Sequence, residues 1–263
     1  MRRALVGCLA LSVAAPPLGV FLVLRRMSLM SDVLQHGVLP GIALGAAVGG
    51  LSVWAMGAGG IVAGLVVALL AGWLARRTGG GEDSQLAALY LIALAAGVAL
   101  VSAQRGVDLT HLLFGSVLAV DDAALLAMAG AASLTLPVLA AIWRPLVLES
   151  LDPGFGGGIW HGCFLALVVL CVVAGFAALG TLMSVGLMML PAIAARHWSD
   201  SLAGQIGIAV GLAIAASVLG LLISYNVEIP AGPAIVLTAG AFWVVSLGVG
   251  PREGLLRGGV GRG

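Results

Sequence analysis

No lysine occurs anywhere in the 263 residues, and all twelve basic side chains are arginine. A phosphate-binding loop of the Gly-x-x-x-x-Gly-Lys-Ser/Thr type needs its lysine to reach the terminal phosphates. The chain therefore holds no standard P-loop, and any work it does at the expense of ATP requires an ATPase on another chain. Charge of either sign is scarce, with 9% charged residues against 61% hydrophobic ones. A soluble domain carries roughly 25% charged residues to wet its surface. A chain this poor in charge has lipid as its main solvent. The net charge of +1 offers no attraction to nucleic acid. Cysteine is nearly absent. Cys8, Cys163 and Cys171 sit in apolar runs without CxxC spacing, so they are read as small buried hydrophobes, with no disulfide framework or zinc cluster.

What is present is a succession of apolar segments. A membrane-crossing helix needs about 20 apolar residues, and candidates run over 4–24, 34–56, 58–75, 86–103, 123–143, 161–180, 182–195, 202–224 and 233–250. Segment 182–195 is short and carries Pro191, so it is expected to be broken or re-entrant. Residues 109–120 are apolar but too short to cross. Backbone groups in lipid must be satisfied internally, which leaves helices as the economical choice. The expected fold is all-α: a polytopic transmembrane bundle of eight or nine spans in one domain, 1–263. The first segment resembles a signal peptide in having Arg2 and Arg3 before an apolar stretch. Its long apolar core, Pro16-Pro17 and the closing Arg25-Arg26 make it a retained span.

Arginine sets the orientation, because cytoplasmic loops are enriched in basic residues. With nine crossings and the C-terminus inside, Arg25, Arg26, Arg76, Arg77, Arg144, Arg196, Arg252, Arg257 and Arg262 face the cytoplasm, and Arg2, Arg3 and Arg105 face out. On this layout 144–160, RPLVLESLDPGFGGGIW, is the longest inward-facing connection. It combines a short amphipathic piece with Asp152-Pro153 and a glycine run, and is read as a docking segment for a cytoplasmic partner.

The chemistry concentrates in MSLMSDVLQHGVLPGIALGAAVGG, residues 27–50. Asp32 and His36 lie four apart and share one helix face. A carboxylate oxygen with an imidazole nitrogen suits zinc, manganese or iron(II). Ionisable groups inside membrane spans usually mark a pathway. One Asp and one His make half a site, and a twofold dimer doubles them into a ring that encloses a divalent cation. The same segment carries Gly37, Gly41, Gly45 and Gly49, a strip that admits a closely packed second helix or a second copy. Pro40 removes a backbone donor and is expected to kink the helix. The bland alternative is that Asp32 caps a helix and His36 bonds a neighbouring carbonyl. His111 is read as a solvated loop residue, and His161 and His197 as interface residues. Glu228, Asp121 and Asp122 are read as a polar outer rim.

MSLMSDVLQHGVLPGIALG resembles the second-helix signature of the zinc/manganese/iron ABC permease family, in which Asp and, four residues on, His precede Leu-Pro-Gly. LLFGSVLAVDD (112–122), LESLDPGFGGG (148–158), TLMSVGLMMLPAIAAR (181–196) and SYNVEIPAGPAIVLTAGAFWV (224–244) resemble further blocks of that family, in the same order over nearly the whole chain. The resemblance implies a multi-pass permease of the bacterial inner membrane. It is not itself an enzyme and keeps no permanent cofactor. Implied partners are a cytoplasmic ATP-binding subunit, an extracytoplasmic metal-binding protein that delivers cargo, and a second permease copy, identical or not. It further implies transit of the ion past Asp32 and His36, zinc first and manganese or iron(II) next. Coupling to the ATPase falls on Leu151, Asp152, Pro153, Gly154 and Phe155. Where the family commonly has Ser before the histidine this chain has Gln35, which is expected to shape packing or gating without ligating the ion. The delivery protein is expected around 104–122 and 224–232.

Three rivals carry less. A secondary transporter with Asp32 and His36 as a proton relay calls for inverted repeats with paired broken helices, and no repeat is visible. An intramembrane hydrolase needs HExxH, GxSxG or a second buried acidic cluster, and none occurs. A bulky metal chelate needs a wide path without ligands, which the Asp–His pair argues against.

Overall fold

The computed structural model describes residues 2–28, 30–50, 52–78, 82–103, 121–151 and 159–252. Within them the regular structure is entirely helical: α1 (Arg2–Leu24), α2 (Met30–Gly37), α3 (Leu39–Gly49), α4 (Val53–Thr78), α5 (Glu82–Ala103), α6 (Asp122–Ala141), α7 (Trp143–Leu151), α8 (Ile159–Leu179), α9 (Thr181–Arg196), α10 (Leu202–Val227) and α11 (Ala231–Val249). Six of these, α1, α4, α6, α8, α10 and α11, are long and apolar enough to cross a membrane. The apolar part of α5, Ala87–Ser102, and the whole of α9 are shorter. The all-helical, multi-pass expectation is met.

Local chemistry explains several boundaries. Asp121 caps α6, its carboxylate accepting from Ala124 N at 2.8 Å, and Ser201 caps α10 through Gly204 N at 3.2 Å. Gly180, with φ 84°, makes the sharp turn between α8 and α9, and Gly50, with φ 69°, ends α3.

Two sequence expectations need correction. The span expected over 34–56 is two helices with Val38 at the junction, and its last residues belong to α4. Pro40 sits in the first turn of α3, a place that suits its fixed φ. Because Pro40 has no N–H, the His36 carbonyl loses its helical partner and the pair of helices stays jointed. The segment 182–195, expected to be broken or re-entrant, is not broken: α9 is one continuous helix with Pro191 inside it. Most of its side chains are buried, and α1, α2, α8, α10 and α11 all pack on it.

The core runs through the middle of the bundle. α1 packs on α6, α8, α9 and α10, while α2 is enclosed by α4, α5, α8 and α9. One buried cluster joins Phe21 and Leu22 of α1, Leu34 of α2, Phe164 and Val168 of α8, and Leu187 of α9. Exposed tryptophans mark the membrane. Trp54 and Trp73 are exposed at opposite ends of α4, 19 residues apart (73 − 54). That separation is about 28 Å at 1.5 Å per residue, close to the ~30 Å hydrocarbon thickness that aromatic belts bracket.

Candidate metal centre

Asp32 and His36 lie on α2 with His36 Nε2 3.7 Å from Asp32 Oδ1. The side chain of His36 is 24% exposed and that of Asp32 55%. The pair therefore stands on the rim of the protomer, with the histidine set deeper. The Tyr90 ring of α5 lies 5.8 Å from the imidazole, tilted by 53°, and limits its rotation. His36 Nδ1 is buried and has no hydrogen-bond partner, as have Gln35 Oε1 and Ser31 Oγ on the adjoining face of the same helix. Nε2 is the imidazole nitrogen that faces the Asp32 carboxylate. With the Asp32 carboxylate it makes a mixed nitrogen and oxygen pair of the kind that suits manganese, iron(II) or zinc.

No group of three or more His, Cys, Asp or Glu side chains converges among the described residues. The row from Asp32 through His36 and Pro40 continues along α3 to Leu44 and Val48, and Val48 is 90% exposed.

The glycine strip faces elsewhere. A Cβ on Gly41 would run into the Gly59 carbonyl oxygen and Ala63, on Gly45 into the Ala55 carbonyl, and on Gly49 into Ala55 Cβ. A Cβ on Gly37 would lie 3.5 Å from Val67. The sequence placed this strip at a central interface. Its partner in the structure is α4 of the same chain, which packs against α3 along its length.

That antiparallel pairing also gives depth. Gly37 is level with Val67, so Asp32, five residues earlier, lies about 7.5 Å further towards the Trp73 end. Asp32 thus sits near the boundary marked by Trp73, whose ring carries the Arg77 guanidinium at 5.4 Å, and His36 sits about one turn inside it.

Other sequence candidates separate. Leu151 is the last residue of α7, while Asp152, Pro153, Gly154 and Phe155 lie outside the described residues, as does His111. Asp121 serves as a helix cap, and Asp122 pairs with Arg3 at 3.1 Å on an exposed surface. Glu228 is exposed and ends α10 with φ 56°. His197 is buried, its carbonyl accepting from Arg252 N at 3.2 Å, and Arg252 also pairs with Asp200.

The sequence pattern of the ABC 3 transport family matches residues 1–250. The chain belongs to the ABC 3 transport family. Among its relatives, the manganese import system permease protein ScaB of Streptococcus parasanguinis is 33% identical over 260 residues, covering 96% of this chain and 91% of that protein. The probable iron transport system membrane protein of Haemophilus influenzae is 29% identical, with 94% and 92% covered. A solved structure, PsaBC from Streptococcus pneumoniae in complex with Fab, is similar with a TM-score of 0.84 and 31% identity, covering 96% of this chain and 92% of that one.

For this member of the ABC 3 transport family, sequence reasoning missed a buried charge cluster. Arg25, just after α1, pairs with Glu149 of α7 at 3.3 Å, their side chains 8% and 4% exposed. Its guanidinium also donates to Ser150 Oγ (3.0 Å), to the Leu146 carbonyl (3.1 Å) and to His161 Nδ1 (2.8 Å). It lies over the Phe164 ring at 5.3 Å. The available signal was Glu149, a lone acid in the amphipathic piece LVLESL.

Proposed function

We propose that this chain is the channel-forming permease subunit of an ABC importer that carries a divalent transition-metal ion, manganese ahead of iron(II) and zinc, into a bacterial cell. The observation that carries the reading is the Asp32–His36 pair: two donors for such an ion, 3.7 Å apart, on the rim of the protomer and on a jointed helix. The two donors need a second set. A second copy facing the row Asp32, His36, Leu44 and Val48 doubles them to four around a shared path. The names of the relatives put manganese before zinc, reversing the order reached from the sequence.

The remaining parts follow from this reading. The helices α1, α2–α3, α4, α5, α6, α8, α9, α10 and α11 make nine crossings in the inner membrane. Arg25, Arg77, Arg196 and Arg252 gather at the cytoplasmic end, and Arg3 lies at the outer end. A separate ATP-binding subunit docks on the 144–160 segment, and a metal-binding protein delivers the ion to the outer face. Ligation in transit is weak and exchangeable, because a closed four-ligand site would trap the ion. The ion-coupled relay has no observation in its favour.

The test is manganese uptake into vesicles holding this chain, its ATPase and its binding protein. Asp32→Ala and His36→Ala are each expected to lower ATP-dependent uptake at least tenfold while the complex assembles normally. Undiminished uptake in both variants would remove the ligand role.

A further inference from the structure

We infer that Arg25 is a positioning residue that transmits movement of α7 to α2, the helix bearing Asp32 and His36. The inference rests on the reading that the segment after α7 receives the ATPase.

The Arg25 guanidinium holds both ends of the stretch 151–160. On the near side it bonds Glu149, Ser150 and the Leu146 carbonyl, and on the far side His161 Nδ1. A guanidinium has only donors, so His161 Nδ1 must accept. Ser150 in turn donates to the Leu146 carbonyl at 2.6 Å, which ties the last turn of α7 into the same cluster. Phe21 of α1 meets Trp143 of α7 and Phe164 of α8 edge-on, with ring centroids 5.4 and 6.0 Å apart. The C-terminal half of α7 and the start of α8 thus meet around Arg25, while Phe21 of α1 holds the start of α7 through Trp143.

From Arg25 the chain reaches Asp32 in seven residues (32 − 25) with little slack. Arg26 adopts a left-handed conformation with φ 60°. Met27 N bonds the Leu22 carbonyl at 2.8 Å, and Met30 N bonds the Met27 carbonyl at 3.0 Å to open α2. A shift of α7 that drags the guanidinium therefore moves the foot of α2. The joint at Val38 and Pro40 lets α2 respond while α3 stays pinned to α4 by its glycines.

Stability alone does not account for the cluster. Buried ion pairs are commonly replaceable by apolar side chains without loss of stability. An arginine fork, unlike a lysine ammonium, addresses several acceptors in fixed directions. That rigidity suits a part that must keep its partners in register while it moves.

The experiment counts ATP hydrolysed per Mn2+ taken up by the reconstituted transporter. Arg25→Lys, His161→Phe and the double variant Arg25→Met with Glu149→Met are expected to assemble and hydrolyse ATP, with the ratio raised at least tenfold. Arg25→Lys keeps the charge beside Glu149 and loses the fork that addresses several acceptors, so it decides the matter should the double variant fail to assemble. A wild-type ratio in Arg25→Lys, or in a stable double variant, would make the cluster purely structural and overturn the inference. Wild-type transporter that shows no ATP-dependent Mn2+ uptake would instead count against the proposed function.

Discussion

At the scale of single residues, α2 is unusual for leaving polar atoms unanswered. Ser31 Oγ, Gln35 Oε1 and His36 Nδ1 are buried without partners on two adjoining faces. A buried polar group without a partner costs about 1–3 kcal/mol. Gln35→Met, similar in volume and apolar, is therefore expected to stabilise the protein by about 1 kcal/mol, read as a higher midpoint of thermal unfolding in detergent. A lower midpoint would mean that the amide bonds a buried water. Of the residues singled out by spacing alone, Asp32 and His36 stand within reach of each other, as a four-residue helical separation requires. What spacing could not reveal is the ring of Tyr90, which arrives from a helix more than fifty residues away in the chain.

At the scale of helices, glycine acts by where it faces. Gly41 is pressed against the Gly59 backbone of α4, which cannot step aside as a side chain can, whereas nothing lies within 4 Å of a Cβ built on Gly130 of α6. Gly41→Ala is expected to destabilise by about 1–3 kcal/mol through overpacking. Gly130→Ala should be neutral or slightly stabilising, since alanine is the better helix former by up to about 1 kcal/mol. Thermal unfolding of the two variants side by side checks this, and equal losses would refute the packing argument. The sequence announced a close approach along Gly37, Gly41, Gly45 and Gly49. It could not name the partner, because a strip of small residues fits a neighbouring helix and a second copy equally well. The same ambiguity governed α9: Pro191 reads as a break until the helix is seen to run on through it among its packed neighbours.

At the scale of the whole molecule, the exposed row of Asp32, Leu44 and Val48 is the face left open after α4, α5, α8 and α9 have closed round α2. Val48→Cys, in a background with Cys163 replaced, is expected to join two copies in native membranes through a short bifunctional maleimide. Recovery of monomers alone from transport-active membranes would exclude this face as the meeting surface.

Composition by itself determined that the protein lives in lipid and is helical, and it excluded a P-loop, because scarcity of charge and absence of lysine need no neighbours to take effect. Periodicity by itself paired Asp32 with His36, since i and i+4 are local geometry. The tertiary structure alone decided how deep that pair lies, which helix the glycines meet, and that Arg25, Glu149 and His161 share one cluster. Helices that are apolar on every side carry almost no pattern to say which face turns towards which neighbour. A contact between residues more than a hundred positions apart exists only once the bundle has closed.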